Sequence, residues 1–233
     1  MKVCAAFIKS ALICHNQNQN DAEGIPMNIT DPKIHEYLMH LAHEEDQHIL
    51  KMERIAKERK FPIVERLVGR LLFLLAKIKK PALVVELGSG FGYSAYWFAK
   101  AMDTGKIVLT DYREEHIAYA KNLFRETGHA GKAEFRVGDA IEIARGYKNI
   151  DILFIDIDKH AYFDAVQTLL PNLGSHALII ADNSLWYGKV LDVEKDKETT
   201  GIVRFNEYLA ETPDFMTTIL PLRDGVLLAS KLS

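Results

Sequence analysis

Val84-Val85-Glu86-Leu87-Gly88-Ser89-Gly90-Phe91-Gly92-Tyr93-Ser94 is the stretch around which the chain is organised. An apolar run, Ala82 to Val85, ends in an acid and breaks into three alternating glycines, after which Ser94 to Lys100 reads as a helix. The pattern predicts a strand, a tight turn and a helix N-terminus. Alternate glycines admit positive φ and the close approach of a ligand, while the helix start offers unpaired N–H groups to an anionic group. Such a turn is built to hold a polar small molecule.

Two ligands compete for it. A dinucleotide fingerprint needs G-x-G-x-x-G, but Tyr93 stands where its third glycine should be, and the spacing is G-x-G-x-G. Glu86 would also set a carboxylate where a pyrophosphate should lie, and like charges repel. A cationic ligand suits the acid better, which favours S-adenosylmethionine, with its sulfonium and ammonium, over NAD.

The chain has 233 residues, 48% hydrophobic and 26% charged, enough for one globular domain with an ample core. A net charge of -3 gives no general pull toward nucleic acid or membrane. Cys4 and Cys14 are the two cysteines, so there is no disulfide framework, as suits a reducing cytoplasm. Residues 2 to 14 resemble a signal peptide, but Lys9 interrupts them and His15 to Asp21 offers no small-residue cleavage site. A short amphipathic helix is expected there instead, then a flexible linker, His15 to Asn20, with the ordered part beginning at Met27. The expected division is an N-terminal extension, 1–29, and a catalytic domain, 30–233, whose first helices occupy 30–80. No apolar run approaches membrane-spanning length, and a cytoplasmic protein is expected.

Thr30-Asp31-Pro32 is a helix start, and helices are predicted over Lys33 to Ala42, Asp46 to Lys60 and, after Phe61-Pro62-Ile63-Val64, Glu65 to Lys77. His35, His40, His43 and His48 invite a metal, yet His43 and His48 lie five apart and fall on different helix faces, which favours a solvated surface. Beyond the glycine turn, strand and helix alternate. Strands are predicted at Ile107 to Thr110, Ala133 to Val137, Ile150 to Asp156 and Ala177 to Asp182, with helices at Glu114 to Thr127, Ala140 to Arg145, His160 to Leu170 and Gly201 to Leu209. Alternation of this kind gives an α/β fold with a parallel sheet covered on both faces. The short Leu222 to Gly225 link then makes strands Phe215 to Leu220 and Val226 to Lys231 antiparallel neighbours.

Ligands of such sheets sit at the carboxyl ends of the strands. Those ends carry Glu86, Asp111, Gly138-Asp139, Asp156 and Asp182-Asn183, an acid on every one of five. Asp111 can accept ribose hydroxyls, and Asp139 an adenine amino hydrogen, with Tyr112 placed to pack on the ring. Asp156, Asp182 and Asn183 come from strands roughly 4.8 Å apart, so their oxygens can converge on one hard cation: Mg²⁺, with Ca²⁺ or Mn²⁺ as alternatives. The same trio can equally cap a strand-end turn.

These residues resemble the cation-dependent, S-adenosylmethionine-dependent O-methyltransferases that include the catechol and caffeoyl-coenzyme A enzymes. The resemblance spans roughly residues 30 to 233 and rests on four motifs: Val84 to Ser94; Phe154-Ile155-Asp156-Ile157-Asp158-Lys159 with Tyr162; Ala181-Asp182-Asn183-Ser184-Leu185-Trp186 with Gly188; and Asp224-Gly225. It implies a class I methyltransferase, Rossmann-like fold: a seven-stranded mostly parallel sheet, antiparallel at the last strand, with helices on both faces and extra N-terminal helices. It implies that Asp156, Asp182 and Asn183 hold the metal, and that Glu86, Gly88, Ser94, Asp111, Tyr112, Asp139, Ala140 and Asp156 line the methyl-donor site. The helix that reaches Gly69 also resembles the family's, which would place the Val64 backbone near the donor's carboxylate.

Chemistry follows from the parts. A chelated catechol hydroxyl has a lowered pKa. Lys159 resembles the family's general base; its alternative is a surface lysine at a helix start. Trp186 and Tyr187 would wall a planar substrate beside Lys159 and Asn183, or else pack on the sheet edge. Asp158 stands where the catechol enzyme has an aromatic, and no coenzyme A insertion is evident, so the substrate stays open. Lys60 to Glu65 and the C-terminal strands also look similar to bacterial tRNA 5-hydroxyuridine methyltransferases, for which Arg54, Lys57, Arg59 and Lys60 would form a phosphate-binding face. A non-catalytic donor-binding protein would have lost a metal ligand or the lysine, and none is lost. Excess apolar surface before Pro62, together with the dimers of caffeoyl-coenzyme A relatives, makes a homodimer the expected assembly.

Overall fold

The computed structural model describes residues 28–233. The expected N-terminal helix and linker, both cysteines and the Met27 boundary lie outside the described residues. Three helices come first: α1 (Pro32–Leu41), α2 (Gln47–Arg59) and α3 (Glu65–Lys79). Asp31 caps α1 through Lys33 N, and Asp46 caps α2 through His48 and Ile49 N, because a carboxylate satisfies the orphan donors of a first turn. His43 falls in the loop between α1 and α2 and is exposed, whereas His48 packs edge-on against Tyr96. Among the described residues no cluster of three or more His, Cys, Asp or Glu side chains is set to hold a metal.

The alternating part runs β1 (Leu83–Leu87), α4 (Tyr93–Ala101), β2 (Lys106–Asp111), α5 (Glu114–Glu126), β3 (Ala133–Val137), α6 (Ala140–Ala144), β4 (Ile150–Ile155), α7 (Tyr162–Leu169), β5 (Leu173–Ala181), α8 (Lys197–Glu211), β6 (Phe215–Leu220) and β7 (Val226–Lys231). One seven-stranded sheet has the order β3-β2-β1-β4-β5-β7-β6. Its first five strands are parallel, and β7 is antiparallel to both β5 and β6. The predicted doubly covered sheet is therefore the one observed.

Adjacent strand residues serve opposite faces, as the period of two requires. Val84, Leu109, Phe154 and Ile180 join the core under α2 to α5, whereas Val85, Val108, Leu153 and Ile179 join the core under α6 to α8. The N-terminal helices are tied on by charge as well. Glu53 of α2 receives Arg66 and the Tyr93 hydroxyl (2.8 Å), and Asp46 receives Lys100 (2.8 Å) and the Tyr96 hydroxyl (3.1 Å).

Two boundaries differ from expectation. Strand β5 begins at Leu173, four residues before the predicted Ala177, through an irregular stretch in which His176 takes φ 56°. Helix α8 begins at Lys197, four residues before the predicted Gly201, because Asp196 caps Thr199 N at 2.7 Å.

Candidate active site

The glycine turn follows β1 as the sequence implies, with φ of 84°, 50° and 92° at Gly88, Gly90 and Gly92. A side chain at Gly88 would be strained in that conformation and would strike the Asp156 carbonyl of the neighbouring strand. The turn is pinned from β2: Ser89 N donates to Thr110 O at 2.7 Å, and Ser89 Oγ accepts from Thr110 N at 3.0 Å. Thr110 Oγ1 in turn donates to Glu86 O at 2.7 Å.

Glu86 is fully buried. Its Oε1 accepts the Ser94 hydroxyl from the first turn of α4, and its Oε2 has no partner. Burial pushes its pKa up to about 7; the Ser94 and Ser89 hydroxyls hold it down, and repulsion from Asp156 and Asp111 adds to the rise. A buried acid with an orphaned oxygen beside an open glycine turn fits a cationic ligand.

The next strand ends supply the rest of this half of the site. Asp111 Oδ1 accepts from Arg113 N (2.8 Å) and lies 3.1 Å from His116 Nδ1, so its second oxygen remains free. His116 has no sequence signal of its own; it stands five residues on from Asp111 and also meets the Phe61 ring edge-on. Asp139 caps α6 through Ile141 and Glu142 N (2.9 and 3.0 Å), and accepts the Tyr112 hydroxyl at 3.1 Å. The backbone bond from Glu142 leads the effects that hold its carboxyl below the usual range. Tyr112 is two-thirds exposed, Ala140 is buried at the start of α6, and Val64, also buried, precedes α3 without a side-chain cap.

The other half lies across β4 and β5. Ile155 pairs with Ala181, and Asp182 N donates to Ile155 O at 3.2 Å, so Asp156 and Asp182 leave adjacent strands side by side. Burial and repulsion from Asp156 raise the Asp182 pKa, against the pull of Arg223 and Lys159. Asp182 Oδ1 is buried with no partner. Asn183 donates from Nδ2 to Asp224, which leaves its Oδ1 as an acceptor. Two carboxylates and an amide oxygen, one oxygen of them orphaned and buried, fit a hard divalent cation.

Lys159 sits beside them, nearly buried. Its Nζ donates to Asp156 Oδ1 (2.8 Å), Tyr162 Oη (3.0 Å) and Ile157 O (3.1 Å), which uses all three ammonium hydrogens. Burial lowers its pKa, but Tyr162 and Asp156 raise it further, and the net direction is up. Sequence reasoning assigned Tyr162 no role; here its buried hydroxyl both accepts from Lys159 and donates to Asp182 O at 3.2 Å. Trp186 lies 5.9 Å from Lys159 Nζ and forms a wall with Tyr187, which is 41% exposed. Asn183, Trp186, Tyr187 and Gly188 all take positive φ, so this loop folds back tightly over the strand end.

A family profile described as O-methyltransferase matches residues 34–232. The chain belongs to that family. As an O-methyltransferase it is 31% identical, over 84% of its length and 95% of the relative's, to the catechol O-methyltransferase of Niastella koreensis. It is 30% identical to caffeoyl-CoA O-methyltransferase 2 of Petunia hybrida, over 71% of this chain and 74% of the relative. A methyltransferase structure from Geobacter sulfurreducens superposes with a TM-score of 0.79 at 38% identity, covering 89% of this chain and all (100%) of that one. The O-methyltransferase TomG of Streptomyces achromogenes, solved in complex with SAM, gives 0.78 at 27% identity over 86% and 96% of the two chains. No helix among the described residues is long and apolar enough to cross a membrane.

Proposed function

We propose that this O-methyltransferase transfers a methyl group from S-adenosylmethionine to one hydroxyl of a vicinal-diol, catechol-type aromatic, at a site holding a divalent cation, Mg²⁺ for preference. The observation that carries this is the pairing, on one sheet rim, of two buried acids that each keep one oxygen without a partner, Glu86 Oε2 at the glycine turn and Asp182 Oδ1 at the β5 end. One suits a sulfonium donor, the other a metal. The names of the catechol and caffeoyl-CoA relatives and the SAM-bound neighbour support the same choice.

Bound at Asp156, Asp182 and Asn183, the cation would supply charge that lowers the pKa of a chelated hydroxyl. The chain's own residues do the rest. Ser94 holds Glu86 under the donor site, and Asp111, Tyr112, Asp139 and Ala140 line its nucleoside end, with Gly88 and Val64 at the other. Trp186 and Tyr187 set the plane of the acceptor ring. Lys159 would handle the acceptor's proton at Nζ: Asp156 and Tyr162 favour its charged form, and the charge of a cation bound beside it would lower its pKa so that the neutral amine takes the proton. Alignment of acceptor oxygen and donor methyl supplies most of the acceleration.

Arg54, Lys57, Arg59 and Lys60 are all exposed, as on an ordinary solvated helix face, and the relatives named above give the tRNA alternative no support. The assembly we propose is a homodimer, for which exposed Ile34, Tyr37 and Leu41 on α1 offer an apolar face; light scattering after gel filtration tests it. The function is tested with labelled S-adenosylmethionine, offering a catechol and, separately, tRNA carrying 5-hydroxyuridine. Label in the catechol alone is expected; label in the tRNA alone would overturn the proposal.

A further inference from the structure

The turn between β6 and β7 does more than reverse the chain. It carries Arg223, at φ 53°, with its guanidinium against the cation site. NH1 donates to Asp182 Oδ2 at 2.8 Å, and Nε lies 3.9 Å from Glu65 Oε1 at the start of α3. The Arg223 side chain is 20% exposed and the Asp182 side chain 1%. A carboxylate that deep needs a positive partner, and Arg223 is the side chain that supplies one by direct contact. Asp182 is also one of the three residues proposed to hold the divalent cation. A guanidinium and a metal ion on one carboxylate repel each other strongly in so dry a place.

On the cation-site assignment made above, we propose that Arg223 is a counter-charge that competes with a divalent cation for Asp182. In the cation-free protein it neutralises Asp182 through Oδ2; a cation drawn to the unpartnered Oδ1 would meet that charge, and the guanidinium would yield toward Glu65. Room for that move exists: a cavity of about 440 Å³ lies on this side, lined by Arg223, Glu65, Ile63, Phe61 and Lys57 among others. Displacing a good ion pair costs affinity, so the native chain binds its metal less tightly than its ligands alone would allow.

The test is titration of the purified, chelator-treated full chain with Mn²⁺ alone, followed by calorimetry, for the native protein and for Arg223→Gln, Arg223→Lys and Asp182→Asn. Arg223→Gln should bind Mn²⁺ roughly tenfold tighter and show a larger rise in thermal midpoint on Mn²⁺ addition. Arg223→Lys, which keeps the charge, should stay near the native value, and Asp182→Asn should lose binding. Binding by Arg223→Gln where the native chain shows none would support the proposal more strongly still. Equal or weaker binding by Arg223→Gln, with binding still dependent on Asp182, would overturn it and leave the cation site standing. Absence of binding in both would sink the cation site and this proposal together. Should Arg223→Gln fold poorly, Arg223→Met takes its place.

Discussion

Asn183 donates from Nδ2 to Asp224 Oδ2 at 3.2 Å, a contact that joins residues 41 apart in the chain. The other Asp224 oxygen accepts the Tyr187 N–H, so one buried carboxylate sets both a candidate cation ligand and the candidate aromatic wall. With Nδ2 committed, the amide oxygen is the atom left to accept. Asp224→Asn should therefore lower Mn²⁺ affinity and kcat by about 10- to 100-fold, the usual effect of losing a group that orients a ligand. Calorimetry and steady-state kinetics measure both; unchanged affinity would make Asp224 a turn residue and nothing more.

Glu86 makes a prediction with a sign. Its pKa is raised from 4.5 to about 7 in the folded chain, so between those values the folded state holds a proton that the unfolded state has released. Stability from this group is fully present below pH 4.5 and is lost as pH rises to 7, by about 3 kcal/mol. Glu86→Gln should remove that loss: a higher thermal midpoint than the native chain at about pH 8, and none of this slope below it. The same variant should bind S-adenosylmethionine at least about tenfold more weakly, because the cationic donor loses its acid. Thermal shifts across pH and a donor titration check the two halves; a variant that bound the donor normally would remove Glu86 from the site.

Much of this was legible in the sequence because strand ends announce themselves. Apolar runs stop at Glu86, Asp111, Asp156 and Asp182, and parallel pairing then forces those residues onto one rim. Glycine at 88, 90 and 92 gave the turn, and a short link gave the antiparallel pair. What stayed hidden depends on distant partners. Arg223 and Asp182 lie 41 residues apart, and nothing in a Leu222 to Gly225 turn says which way its arginine points. Tyr162 belongs to the Asp156 motif, but its role shows only when its hydroxyl is found between Lys159 and Asp182 O. The early start of β5 was hidden by Ser175 and His176, polar residues with no period of two.

Lys159 separates two chemistries. If it takes a proton, Lys159→Met should lose about 10²- to 10⁴-fold in kcat, and Lys159→Arg should not rescue, since a guanidinium keeps its charge and cannot serve as a base. Donor affinity should stay near native in both. Activity retained by the arginine variant would show that a fixed positive charge is all the site needs.

Gly201 faces the turn that carries Lys159. A Cβ there would lie 2.5 Å from His160 Cα and 2.6 Å from Lys159 O, against backbone that cannot step aside. Gly201→Ala should cost about 3 kcal/mol of stability and lower kcat as well, because the turn must shift. Chemical denaturation and kinetics report the two; a neutral substitution would mean that α8 moves freely against this turn.

On the proposed function, a divalent cation on Asp156, Asp182 and Asn183 prepares a vicinal diol for methylation. The most direct measurement is labelled methyl transfer to catechol by chelator-treated enzyme, with Mg²⁺ restored stepwise and phenol offered in parallel. Transfer to catechol that vanishes with the chelator, returns with Mg²⁺ and is absent in Asp182→Ala, with little transfer to phenol at any Mg²⁺, is the predicted result. Equal transfer to catechol and phenol, undiminished by the chelator, would contradict it.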